Sequence, residues 1–284
     1  RIDPEIDITK YFSNNYYTPV PFTVDHWGFM LGNAFRMVGY EKYTDIVLLP
    51  WLKQGGGEKY ILNILNELAF NDPDRRFLIL CGEQSSDHEW RNRLPNRSHL
   101  LDVSNAFPNL NDEERDKLVV RLILAVATPT SYLHIKPSIF AHRLIMKYAS
   151  ILLSRFYSIY YRWLDDCIMA YNAKITTDFF LSFIRKYINL FSCVLCDCMY
   201  IKKQDEERLA MGTDKYHILY NRIDEPISYK RYSLAHYKLL WCSRICKQKR
   251  PEILVPLMNE IIKQNPSIII DVYGSVSDGY DVAT

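Results

Sequence analysis

The sequence has almost no excess of charge of either sign. Thirty-five Lys and Arg stand against 33 Asp and Glu in 284 residues, a formal net charge of +2. Bulk charge therefore gives no indication of nucleic-acid binding, and only a local basic face is left for a polyanion. No apolar run reaches the ~18 residues of a membrane span. Arg121, Arg143, Lys147 and Arg155 interrupt the best candidates. The first residues show no signal-peptide pattern. Glycine is scarce, with ten in the chain. The seven cysteines (81, 167, 193, 196, 198, 242 and 246) are odd in number and sit mostly in apolar runs. That argues against a disulfide framework and for a reducing compartment. Hydrophobic residues at 48% and charged residues at 24% exclude disordered and fibrous classes. The length suits one large domain or two modest ones.

What is present is an alternation of strands and helices. Residues 1–44 read as an irregular lead-in, rich in Tyr, Phe and Pro, that packs on a core. Asp45-Ile-Val-Leu-Leu-Pro50 is a short apolar run, the pattern of a buried parallel strand. Glu58 to Phe70 places Tyr60, Ile61, Ile64, Leu65 and Leu68 at helical spacing. Further strands are expected at 76–82, 99–103, 132–135, 191–198 and 216–221. Asn111-Asp112 starts a helix to Val126, Pro137 precedes a long one, Thr176 or Thr177 starts one to about Ile188, and Gly212 closes one over 202–211. After a polar stretch, one βαβ unit follows: strand 237–242, helix 251–263, strand 267–273. The expected fold is α/β, with parallel sheets and right-handed crossovers. The boundaries are an acceptor-side Rossmann-like domain over 45–230 and the start of a second such domain over 231–284. The chain opens at Arg1 without Met and stops at Thr284 in mid-pattern, which reads as a piece of a longer polypeptide with other domains.

Two motifs lie at strand ends. The first is Leu49-Pro-Trp-Leu-Lys-Gln-Gly55-Gly56-Gly57-Glu58-Lys59. A glycine loop before a helix brings backbone N–H groups close to an anionic or hydroxylated ligand. The bland alternative is a turn that needs positive φ. The spacing matches neither a Gly-Lys-Ser/Thr phosphate loop nor G-x-G-x-x-G. The second is Leu240-Trp-Cys-Ser243-Arg244-Ile-Cys-Lys-Gln-Lys249-Arg-Pro251. Two cations beside a helix N-terminus would hold a pyrophosphate without a metal. A solvated basic loop is the alternative.

These segments resemble the retaining GT-B glycosyltransferases that build bacterial surface polysaccharides. The second motif is similar to the opening of their donor domain, and the first to the opening of their acceptor domain. In the same order come Leu133-His134-Ile-Lys-Pro-Ser138, Ile218-Leu-Tyr-Asn221-Arg-Ile-Asp224 and Ile268-Ile-Ile-Asp-Val-Tyr-Gly274-Ser, over about residues 45 to 275. The resemblance implies the following. Arg244 and Lys249 bind the donor diphosphate and stabilise the leaving nucleotide, in place of a metal. Gly274 admits the donor nucleotide, and Gly55, Gly56 and Gly57 face the cleft, with Glu58 opening the helix behind them. His134 sits near the reacting sugar as the catalytic candidate, and no protein nucleophile is assigned. A hydrogen-bonded strand histidine is the reading that the residues alone favour for His134. The substrate is a nucleotide sugar and no cofactor is expected. The acceptor is a glycan or a lipid-linked glycan, and the location is cytoplasmic, peripheral at the inner membrane. Two features depart from the family: Ser243 stands where Gly is usual, and the donor-domain Glu-x7-Glu pair has no place before residue 284.

Other constellations carry less. Cys193-x-x-Cys196-x-Cys198 lacks a fourth metal ligand at usual spacing and reads as core packing. Asp165-Asp166 reads as a solvated turn. A helix over 138–162 would carry Arg143, Lys147, Arg155 and Arg162 among aromatics, a face suited to an anionic membrane. Its apolar positions wrap too far round for an interfacial helix, so packing on the sheet is favoured. The expected function is retaining sugar transfer. The alternatives are a non-catalytic glycan-binding or scaffolding domain and an epimerase of the same fold.

Overall fold

The computed structural model describes residues 26–85, 87–153, 156, 158–162, 176–209, 213–222, 238–246 and 249–276. The chain divides into two compact units, one holding the elements up to Arg222 and the other those from Lys238 onward. The expected boundary at 230/231 lies outside the described residues, as do Asp165, Asp166 and Gly212.

The larger unit is built on one fully parallel sheet. Its strands are β1 (Tyr43–Leu49), β2 (Phe77–Cys81), β3 (Ser98–Asp102), β4 (Ala127–Ile135), β5 (Ser158–Arg162), β6 (Cys193–Cys196) and β7 (Tyr216–Ile218). They lie in the order β3-β2-β1-β4-β5-β6-β7, so the winding reverses between β1 and β4. The helices are α1 (His26–Met37), α2 (Gly56–Asn71), α3 (Val103–Ala106), α4 (Asp112–Val126), α5 (Ile139–Leu153), α6 (Thr176–Tyr187) and α7 (Met199–Leu209).

The central strands are apolar without interruption because both faces are covered. Side chains alternate along each strand. Val47, Leu49, Phe77, Ile79 and Cys81 meet Ile61, Leu62 and Leu65 of α2. Ile46, Leu48, Leu78, Leu80, Leu133 and Ile135 pack in the opposite layer with α1, α4 and α5. Cys196 is buried in that layer too, as strand packing requires. The described cysteines are free thiols.

Helix α4 begins as its sequence dictates. Asn111 accepts from the Glu114 amide at 3.0 Å, and its own amide donates to the Glu114 carboxylate at 2.9 Å, a reciprocal capping box. Ser138 caps α5 by accepting from the Ala141 amide at 3.1 Å.

Two expectations are corrected in the larger unit. The lead-in is not wholly irregular, since His26–Met37 form a helix that buries Ala34. The helix expected over 138–162 ends at Leu153, and residues 158–162 form β5 inside the sheet. Two of the cations expected on it, Arg143 and Lys147, face acidic residues of α4. Arg143 holds buried Asp116 through two bonds, of 2.5 and 2.9 Å, and Asp112 at 2.7 Å. Lys147 faces Glu113 of the same neighbouring helix. Among the described residues no helix is long and apolar enough to cross a membrane.

His142 on α5 is fully buried, stacked 3.8 Å from the Phe183 ring, and burial lowers its pKa from 6.5 to about 3. The unfolded chain binds a proton there that the folded one refuses. Stability is therefore full above the unfolded pKa and falls as pH drops from 6.5 towards 3. Between about pH 7 and about pH 4.5 the wild type is expected to lose about 2 kcal/mol relative to His142→Phe. Urea unfolding at the two pH values checks this, and equal losses in both proteins would refute it.

The smaller unit contains β8 (Lys238–Cys242), α8 (Leu254–Gln264) and β9 (Ile269–Tyr273). The two strands pair in parallel, from Lys238 opposite Ile269 to Cys242 opposite Tyr273. This is one βαβ unit. A 3-10 turn at Pro251–Ile253 precedes α8, where a continuous helix from 251 was expected.

Candidate functional site

In an open parallel sheet, ligands bind beyond the carboxyl ends of the strands where the winding reverses. Here that point lies between the loops that follow β1 and β4. The first loop carries the triple glycine, and none of the three residues has positive φ. Gly55 is extended at φ −168°, and Gly39 is the only glycine with positive φ among the described residues. The turn reading therefore fails for this motif.

Packing gives a reason for the glycine at 55. A Cβ on Gly55 would lie 2.5 Å from the Glu58 carboxylate, so Gly55 makes room for that side chain. A Cβ on Gly56 would meet nothing within 4 Å. Packing does not require glycine at 56, and its backbone lies open at the first turn of α2. The first amides of a helix have no partner within it.

Glu58 is the third residue of α2 and is nearly buried. Lys136, just past the end of β4, meets its carboxylate at 2.5 Å. This pair joins the two loops at the reversal point. It also places a carboxylate over the positive end of α2, where a phosphate would otherwise be favoured. The bare loop thus suits a hydroxyl-bearing ligand better than a second anion.

A second set of bonds holds the loop from outside. The Leu52 amide donates to His88 Nδ1 at 3.1 Å, so Nε2 carries the hydrogen and donates to Asp102 at 2.6 Å. Trp90 donates its amide to Leu52 O at 3.3 Å, and the Gln54 amide donates to Glu89 at 3.3 Å. Asp102 also caps α3 through the Asn105 amide. Sequence reasoning missed Lys136, His88 and Asp102. Lys136 had a usable signal, because it follows a strand end inside a motif already singled out.

His134 lies one residue inside the end of β4 and is 2% exposed. Its register partner on β1 is Val47, yet its Nε2 donates back to Asp45 Oδ1 at 2.8 Å. The ring therefore leans toward the amino end of β1, away from the glycine loop. Asp45 also accepts from Arg75 at 2.8 Å and from the Thr44 hydroxyl at 2.8 Å. This is the geometry of a hydrogen-bonded strand histidine.

In the smaller unit, Arg244 and Lys249 both lie on the segment between β8 and the Pro251 turn, and both are exposed. Neither makes an ion pair among the described residues. The next residue, Arg250, adopts a left-handed conformation at φ 51° and meets Glu252 at 3.3 Å. Gly274 is explained locally: a Cβ there would lie 1.7 Å from the Ser243 carbonyl oxygen. Strand ends that close accept only glycine. The same approach supports the amide bonds from Ser243 to Tyr273 O at 3.0 Å and from Ile245 to Ser275 O at 2.8 Å. Gly274 and the Arg244 loop are thus adjacent parts of one unit.

No family model matches the chain, and no curated protein sequence matches it. Solved structures do. One is a TarM variant of S. aureus in complex with fondaparinux, alpha-GlcNAc-glycerol and UDP. It aligns with TM-score 0.59 and 9% identity over 84% of this chain and 73% of that one. A second TarM structure gives 0.60 and 8% over 83% and 72%. The lipopolysaccharide outer core galactosyltransferase WaaB, in its apo form, gives 0.53 and 12% over 82% and 61%. At these identities the likeness speaks for the fold. The chain is an α/β protein with the Rossmann-like architecture of GT-B glycosyltransferases.

Proposed function

We propose that the chain is a glycosyltransferase that moves a sugar from a nucleotide sugar to a polysaccharide or lipid-linked glycan, with retention and without a bound metal. The observation that carries the reading is the likeness of 84% of the chain to TarM, a structure that holds UDP. The chemistry of two loops supports it.

Arg244 and Lys249 supply fixed positive charge for the donor diphosphate. As the bond from the anomeric carbon to phosphate oxygen breaks, negative charge gathers on the departing nucleoside diphosphate. Cations already in place stabilise that charge without rearranging. The glycine loop after β1 offers open backbone to an acceptor hydroxyl, with the Glu58–Lys136 pair beside it. The acceptor oxygen forms the new bond to the anomeric carbon and passes its proton to an oxygen of the departing diphosphate. No protein nucleophile is assigned. The proposed place of action is the cytoplasm, at the periphery of the inner membrane, as part of a longer polypeptide.

The test is incubation of the chain with a panel of nucleotide sugars, with and without free and lipid-linked glycans. One donor is expected to release nucleoside diphosphate faster when an acceptor is present, and NMR of the product is expected to show the donor's anomeric configuration. Absence of both binding and turnover with every donor would overturn the reading in favour of a non-catalytic glycan-binding domain.

A further inference from the structure

The larger unit has a second concavity that donor and acceptor chemistry at the reversal point does not use. It is a cleft of about 450 Å³ along the outer side of α2, walled on the other side by the chain leaving β7. That size lies within the ~300–1,000 Å³ range of small-ligand sites.

Two hydrogen bonds fix its walls. Tyr60 Oη donates to the Leu219 carbonyl at 2.8 Å, and Asn63 Nδ2 donates to Asn221 Oδ1 at 3.3 Å. Ile64 and Leu68 supply an aliphatic floor. Tyr220 lines the same cleft and is 68% exposed, a large aromatic ring left in water. Glu67 and Arg222 stand at the rim, 3.5 Å apart and both exposed. A contact of that kind contributes little, so both heads can take other partners.

We propose that this cleft binds a short stretch of a neutral oligosaccharide. The choice of a sugar chain as occupant rests on the transferase reading. The lining supports it independently. A sugar ring has an apolar C–H face, which suits the Tyr220 ring and the aliphatic floor. Its rim of hydroxyls both donates and accepts, as does the amide of Asn63 in the lining. A purely apolar ligand would cover the remaining polar atoms of the Asn63 amide without pairing them. An anion would meet Glu67 as well as Arg222. An extended peptide docks best on an open sheet edge, and helix α2 offers none.

The test is saturation-transfer NMR on the full chain with maltotetraose, cellotetraose and chitotetraose, and with a heparin tetrasaccharide as the anionic comparison. No nucleotide sugar is added. At least one neutral tetrasaccharide is expected to bind, with Kd raised roughly tenfold in Tyr220→Ala and severalfold in Asn63→Ala. Tyr220 is exposed, so its variant is expected to keep the wild-type unfolding midpoint, which is measured alongside. Binding of the heparin tetrasaccharide alone, binding of no glycan, or binding unchanged in both variants would overturn the proposal. Glycan binding without any donor turnover supports the cleft and overturns only the transferase. Donor turnover without glycan binding does the reverse.

Discussion

Arg244→Ala is expected to slow donor-dependent release of nucleoside diphosphate by roughly 10²–10³-fold, and Lys249→Ala by a similar factor. The reason is electrostatic. A charge that develops only in the transition state is stabilised only by groups already in position. Removing such a group lowers kcat together with kcat/KM, whereas removing a ground-state contact raises KM alone. The double variant is expected to lose less than the product of the two factors, since both cations serve one diphosphate. Arg244→Lys is expected to restore little, because an ammonium cannot grip two phosphate oxygens at once as a guanidinium does. Both residues are exposed, so the unfolding midpoint should stay put. Steady-state kinetics with the donor found in the panel gives the answer. Wild-type rates in both single variants would remove these residues from the mechanism and take the metal-free diphosphate clamp with them.

Much of this architecture is legible in the residues, and the exceptions have physical causes. Asp45–Pro50 and Arg76–Gly82 betray β1 and β2 because a strand buried on both faces must be apolar throughout. Asn111 and Glu114 mark the start of α4 because the capping box is a local device. Strand β5 is not legible. Its Ser-Ile-Tyr-Tyr-Arg follows an apolar helix, with no Gly or Pro between Leu153 and Ser158 to mark the break. The site divides in the same way. The glycine loop and the Arg244 loop stand out locally. The contacts that position the first loop join residues far apart: His88 to Leu52 across 36 positions and Lys136 to Glu58 across 78. Only the sheet order brings them together. Gly274 is the instructive case. Sequence reading assigned its missing side chain to a nucleotide, while the structure gives it a nearer cause in the Ser243 backbone.

Asp45→Ala is expected to cost the larger unit about 3 kcal/mol, and to lower its unfolding midpoint by roughly 10 °C. Asp45 is fully buried, and its carboxylate accepts from His134, Arg75 and Thr44 at once. Its removal takes a charged acceptor from a buried imidazole and from a guanidinium that is mostly covered. Arg75 keeps some contact with water and stacks 5.1 Å above the Tyr132 ring, which sets the cost at the lower end for a broken buried pair. Asp45→Asn keeps the shape and one acceptor and should cost less. Urea unfolding of the two variants measures the difference, and an Asp45→Ala cost within about 0.5 kcal/mol of zero would refute the network's weight. The same series tests the role that family resemblance gives His134. If the ring serves the sheet alone, His134→Gln should lower stability while the folded fraction turns over donor at the wild-type rate. If His134 also acts on the reacting sugar, kcat should fall in protein that is still fully folded. Since Nε2 points toward Asp45 and away from the glycine loop, the first result is the one expected.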